Sequence, residues 1–232
     1  MIPLVMALTL GLLPGFAWLV FYLGEETHPE PKRLIVFTAV VGMAFGFFAV
    51  GIEMFFNQGL NSWGIGEFSI LSLVGLALIE EVMKFAAAHF AVSKSPAFSE
   101  PIDAMIYTIV AALGFATLEN IGALSNITVG ASFVPALLTT FSFRFIGATL
   151  LHSLTSAIVG YYWALGLMRG KIKRYLLVGL TIATALHACF NYLILTFGDS
   201  AYVVVFLIIV GFFVLNDFEK LRINVNIIGT NS

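Results

Sequence analysis

The chain has 232 residues, of which 60% are hydrophobic and only 10% charged, with a mean hydropathy of +1.01 and a formal net charge of −2. A water-soluble domain carries roughly 25% charged residues, so this composition excludes one and points to a membrane protein. The slight negative charge excludes the basic footprint of a nucleic-acid binder. The single cysteine, Cys189, excludes a disulfide framework or a CxxC metal site.

Apolar runs long enough to cross a hydrocarbon core of about 30 Å occur at 2–23, 34–56, 68–92, 102–125, 135–168, 175–197 and 200–216. None shows the alternation of a barrel strand, so the expected fold is all-α: a polytopic transmembrane bundle of about seven helices. The whole chain, 1–232, reads as a single transmembrane domain with a tail at 217–232, since no loop is long enough to build its own core. Nine of the eleven basic residues fall outside the runs, at Lys32, Arg33, Lys94, Arg169, Lys171, Lys173, Arg174, Lys220 and Arg222, all in odd-numbered loops or the tail. The positive-inside rule then puts the C-terminus in the cytoplasm and the N-terminus outside. A cleavable signal peptide is not expected, because nothing basic precedes the first run and that run is too long for an h-region. Gly11-x-x-x-Gly15 and Gly42-x-x-x-Gly46 read as surfaces for close helix packing.

The runs also contain Glu53, Glu80, Glu81, Lys84, Glu119, Arg144, His152 and His187. An ionisable group at mid-membrane costs at least about 2.5–3.5 kcal/mol on insertion scales, so such a set marks a functional site. In Glu80-Glu81-Val82-Met83-Lys84 the lysine stands at i+4 from one acid and i+3 from the other, and can pair with either. Alignment at i+4 favours Glu80 as the carboxylate facing a cavity. Phe115 and Glu119, His152 and Ser156, and His187 and Asn191 repeat the i, i+4 step on the next three runs. At about 1.5 Å rise per residue, Glu80 lies about 18 Å from the outer end of its run, His187 about 15 Å, Arg144 about 13 Å and Glu119 about 9 Å. His152 falls at about 25 Å, in a run longer than a crossing requires. One polar layer in the outer half of the bilayer is therefore expected. Arg144 reads either as a counter-ion for a carboxylate or as a group snorkelling outward. Glu53 and His89 read as interfacial. Cys189 points away from the face of His187 and is not expected to be a nucleophile.

Carboxylates and imidazoles of this kind support two forms of hydrolysis. They can hold Zn²⁺, which keeps three protein ligands and a water, with a further glutamate as base. They can also act without metal, a glutamate activating water while histidine and asparagine stabilise an oxyanion. Proton or cation transport through the same carboxylates is the reading from another class, although no inverted repeat is visible. HExxH is missing, no rhomboid-like GxSx motif lies within a run, and Gly198-Asp199 lies in a loop without the partner aspartate of a presenilin-like pair.

Glu80-Glu81-x-x-Lys84, Phe115-x-x-x-Glu119-Asn120, His152 and His187-x-x-x-Asn191, in this order on successive helices, resemble the motif set of the PrsW family of intramembrane proteases, relatives of the CAAX prenyl protease and Abi superfamily. The resemblance covers about 68–197. Lys84 stands where that superfamily places an arginine one position later, and Glu119 stands where it has a histidine; both departures favour PrsW over prenyl-protein processing. The resemblance implies a membrane-embedded peptidase of the prokaryotic plasma membrane. It implies Glu80 and Glu81 as the catalytic pair with Lys84 beside them, Glu119, His152 and His187 as metal or water ligands, and Asn191 as an orienting or oxyanion group. It also implies a single-pass membrane protein as substrate, such as an anti-sigma-factor-like regulator.

Overall fold

The computed structural model describes residues 2–24, 29–130, 132–198 and 201–229, with side chains from 3 to 221. Among them there is no strand. The helices are α1 (Ile2–Leu23), α2 (Lys32–Ser62), α3 (Ile70–Val92), α4 (Pro101–Ser125), α5 (Phe133–Phe143), α6 (Thr149–Met168), α7 (Ile172–Phe197) and α8 (Ala201–Gly229). A π-helical turn, Arg144–Ala148, joins α5 to α6, so the two form one unbroken rod and the described residues make seven rods. Six are long and apolar enough to span a membrane; the seventh, α3, has 23 residues but carries Glu80, Glu81 and Lys84 in its middle.

Local chemistry sets the starts of the two helices that matter most. Ser69 caps α3, its hydroxyl accepting from the Ser72 amide. Pro101 opens α4, where a missing N–H costs nothing, and Asp103 accepts from the amides of Ser99 and Glu100 at 2.7 Å each.

Helix α4 is the central element, nearly all of it buried, with α1, α2 and α6 packed around it and α3 alongside. Small residues permit this approach. Gly11 and Gly15 of α1 sit against Ile121, Thr117 and the Leu113 carbonyl of α4, and Gly42 and Gly46 of α2 sit against Ala111, Leu118 and Phe115. Both glycine pairs read from the sequence therefore address the same helix. A Cβ at Gly42 would lie 2.1 Å from the Ala111 carbonyl oxygen, and one at Gly114 would lie 2.0 Å from that of Ala39, backbone contacts that cannot yield without parting α2 from α4. Large apolar side chains cover the outside, Phe47, Phe55 and Phe212 among them, as a lipid-facing surface requires.

The structure departs from the sequence reading at the C-terminal end and within the fifth run. The charged segment from 217 reads as a tail, yet α8 continues through it to Gly229, because Phe218 is buried against Tyr22 and Lys220 lies over the Tyr161 ring. Position 200, where this run was expected to begin, and the side chain of Arg222 lie outside the described residues. The long fifth run proves to be α5, the π turn and α6.

Replacing Gly114 by Ala is expected to destabilise the fold by about 1–3 kcal/mol through overpacking, whereas Ala at Gly51, which would meet nothing within 4 Å, leaves it unchanged. Thermal unfolding of the two variants in detergent checks this.

Candidate active site

The charged residues of the sequence meet where α3, α4, α6 and α7 converge. Adjacent residues on a helix point about 100° apart, so Glu80 and Glu81 face different partners. Glu81 is fully buried, and its Oε1 collects three groups: Lys84 Nζ at 2.6 Å, His187 Nδ1 at 2.8 Å and Thr155 Oγ1 at 3.0 Å. Lys84, at 0% exposure, therefore pairs with the acid at i+3 rather than with Glu80 at i+4, and its ammonium also reaches His152 Nδ1 at 3.1 Å. Phe115 lies beside both, its ring centroid 5.9 Å from Nζ and 6.0 Å from the His152 ring.

Glu80 instead turns to the two histidines. Its Oε2 lies 3.6 Å from His152 Nδ1 and 3.7 Å from His187 Nε2, and this buried atom has no hydrogen-bond partner among the described residues. The imidazoles meet edge to face, centroids 5.2 Å apart. One oxygen of Glu80, one nitrogen of His152 and one of His187 all lie within 4.8 Å of one another, supplied by α3, α6 and α7.

The far nitrogens of both histidines end on carboxylates: His187 Nδ1 on Glu81, and His152 Nε2 on Glu119 Oε2 at 3.0 Å. A carboxylate can only accept, so these bonds place a hydrogen on the far nitrogens and leave lone pairs at His187 Nε2 and His152 Nδ1, the atoms that face Glu80. Carboxylate-backed imidazoles of this kind are the usual supports of a metal site. Two imidazoles and one carboxylate, with an orphaned buried oxygen among them, fit a catalytic metal that keeps an open position. Lys84 stands at His152 Nδ1, and a cation taking that lone pair would leave the lysine its 2.6 Å bond to Glu81.

Glu119, expected among the ligands, is grouped differently by the structure. Its Oε2 accepts from Arg144 Nη2 at 2.8 Å as well as from His152, which places it behind the histidine. Arg144 is thus a counter-ion turned inward, not a snorkelling group, and its Nε donates to Asn120 Oδ1. Asn191, one turn from His187, is half-buried and has no side-chain hydrogen bond among the described residues. Glu53, expected at the interface, is half-buried with the charges of Glu119, Lys84 and Glu80 in reach. Cys189 is exposed, as its position predicts. Thr155 was hidden in the sequence because the i+4 step from His152 selects Ser156, whose hydroxyl is buried without a partner among the described residues.

The family model of the PrsW family intramembrane metalloproteases matches residues 30–215. The chain belongs to the PrsW family of intramembrane metalloproteases. The chain is 32% identical to protease PrsW of Geobacillus kaustophilus over 188 residues, 80% of this chain and 78% of that protein. It is 27% identical to protease PrsW of Bacillus subtilis over 219 residues, 91% and 94% of the two chains, and 24% identical to that of Oceanobacillus iheyensis over 194 residues, 83% and 84%. No solved structure matches. As a PrsW metalloprotease with this many spanning helices, the chain is an integral membrane protein whose buried Glu80, His152 and His187 form a possible metal site.

Lys84→Met is expected to destabilise the protein by about 3–5 kcal/mol, because it leaves the Glu81 charge buried without its counter-ion. Lys84→Met combined with Glu81→Gln costs less than the sum of the two single changes. A double-mutant cycle on unfolding in detergent measures that coupling.

Proposed function

We propose that this protein hydrolyses a peptide bond of a single-pass membrane protein, an anti-sigma-factor-like regulator being a fitting example, within the outer half of a bacterial plasma membrane. The observation that carries the proposal is the Glu80–His152–His187 group, in which each imidazole is backed by a separate carboxylate and the remaining lone pairs face one oxygen of Glu80 that has no hydrogen-bond partner among the described residues. Glu80, His152 and His187 would hold the metal, and Zn²⁺ suits two imidazoles and a carboxylate. When bound, it would supply Lewis acidity toward the scissile carbonyl and lower the pKa of a water.

The other roles belong to the chain's own side chains. Glu80 has two oxygens, so one can stay with the histidines while the other accepts the proton of the attacking water and returns it to the leaving amine. Glu81 does not face the group directly; it fixes His187 and holds Lys84. Lys84 and Thr155 keep Glu81 in place, and Glu119 fixes His152. Asn191 lies one turn from His187 with its amide unengaged by other described side chains, a donor suited to the oxyanion that develops at the carbonyl. Burial in a low-dielectric bundle strengthens each of these interactions relative to water.

In membranes co-expressing a tagged single-pass substrate, Glu80→Gln and His187→Ala are expected to reduce cleavage at least about 100-fold, a barrier increase of about 2.7 kcal/mol, without loss of the folded protein. Undiminished cleavage by Glu80→Gln would reject the assigned base. Treatment with 1,10-phenanthroline is expected to stop cleavage and added Zn²⁺ to restore it; full activity of a protein shown to contain no metal would reject the metal.

A further inference from the structure

Resting on the metal site proposed above, we infer that the π-helical turn Arg144–Ala148 is a positioning device: it rotates Arg144 onto the face of His152 so that both side chains meet one oxygen of Glu119, which holds His152 with Nδ1 toward the metal.

The inference starts from helical register. Arg144 and His152 are eight residues apart on one rod, and at 100° per residue an α-helix would place them about 80° apart around its axis. A π turn closes i→i+5 and accommodates about one extra residue without advancing the rotation, so the eight-residue step acts as roughly seven and returns within about 20° of the same face. The structure shows the consequence. Arg144 Nη2 and His152 Nε2 end on the same atom, Glu119 Oε2, at 2.8 and 3.0 Å.

The arginine is held from a second side. Its Nε donates to Asn120 Oδ1, and the Asn120 amide donates to Thr149 Oγ1 at 3.0 Å and to the Gly11 carbonyl at 3.5 Å. A planar guanidinium bridges the neighbouring side chains Glu119 and Asn120 in a way an ammonium cannot. The turn itself is tied to α1, where Trp18 Nε1 donates to the Phe145 carbonyl at 3.0 Å. Ile146, in the same turn, is more than half exposed, so the turn is not there to bury it. A wide turn anchored by a tryptophan, which brings an arginine to the carboxylate behind a ligand, is better explained by the site than by packing. Arg144 acts through Glu119 and His152 and is a positioning residue.

The test is Co²⁺ binding to the detergent-purified full-length chain, followed by its visible absorption and competed with Zn²⁺. Arg144→Met, and insertion of one alanine after Ile146, which lengthens the step to His152 by one residue and turns Arg144 away by about 100°, are each expected to weaken Co²⁺ binding 10- to 100-fold, the usual effect of losing a group that orients a ligand. Arg144→Lys, which keeps the charge and loses the fork, is expected to fall between these and wild type. Arg169→Met, at an exposed arginine bonded only to Tyr175 among the described side chains, is expected to bind as wild type. Co²⁺ affinity in Arg144→Met equal to wild type, while Glu80→Gln loses the ion, would overturn this inference and leave the metal site standing. A wild-type chain that binds no Co²⁺ would overturn the metal site and this inference with it. If the insertion variant does not fold, Arg144→Met and Arg144→Lys decide the matter.

Discussion

Glu81 Oε1 is the atom on which this structure turns. It receives Lys84 from its own helix, Thr155 from α6 and His187 from α7, so one carboxylate oxygen joins three helices. A charge in a bilayer has no water to fall back on, and the cost of an isolated ion there is prohibitive. The same requirement that makes Glu81 find three partners fixes the spacing of α3, α6 and α7, and with it the distance between the histidines and Glu80. The pair of adjacent glutamates divides the labour: Glu81 gives its Oε1 to three partners, and its neighbour Glu80, turned about 100° away, faces the two histidines with an oxygen that has no hydrogen-bond partner among the described residues.

A second frame holds the first. With α4 packed closely against α1 and α2 at glycines, Phe115, Glu119 and Asn120 reach the site from a helix whose position is set by backbone contact. Where side chains have little hydrophobic driving force between helices, as in lipid, close backbone approach and internal hydrogen bonds do most of the ordering. Asn120 illustrates how the two frames connect, since its amide touches the Gly11 carbonyl of α1 and Thr149 of α6 while its oxygen receives Arg144. The polar layer is thereby tied to α1, a helix that contributes none of its charged side chains.

Much of the site was legible in the sequence because intramembrane charge is so costly that its mere presence is informative. Glu80, Glu81, Lys84, Glu119, His152 and His187 stood out on those grounds, and the structure brings all six together. What spacing could not supply was the pairing. Both i+3 and i+4 are neighbours on a helix, so Lys84 was free to take either glutamate, and only the approach of α6 and α7 on the Glu81 side decided between them. Thr155 escaped notice because a threonine within a span carries no charge penalty to announce it, and Glu53, singled out as a charge, read as interfacial because distance to a helix end says nothing about which neighbours it faces.

The sequence by itself determined that this protein lives in a membrane, that it is helical, and which side chains are too expensive to be there without a task, because each of these follows from composition and from the 3.6-residue period. The tertiary structure alone decided which nitrogen of each histidine looks inward, that Glu119 stands behind His152 and Glu80 in front of it, and that Arg144 turns toward the site. Those outcomes depend on how the helices are rotated against one another and on a single π turn that shifts register by one residue, neither of which a linear pattern records.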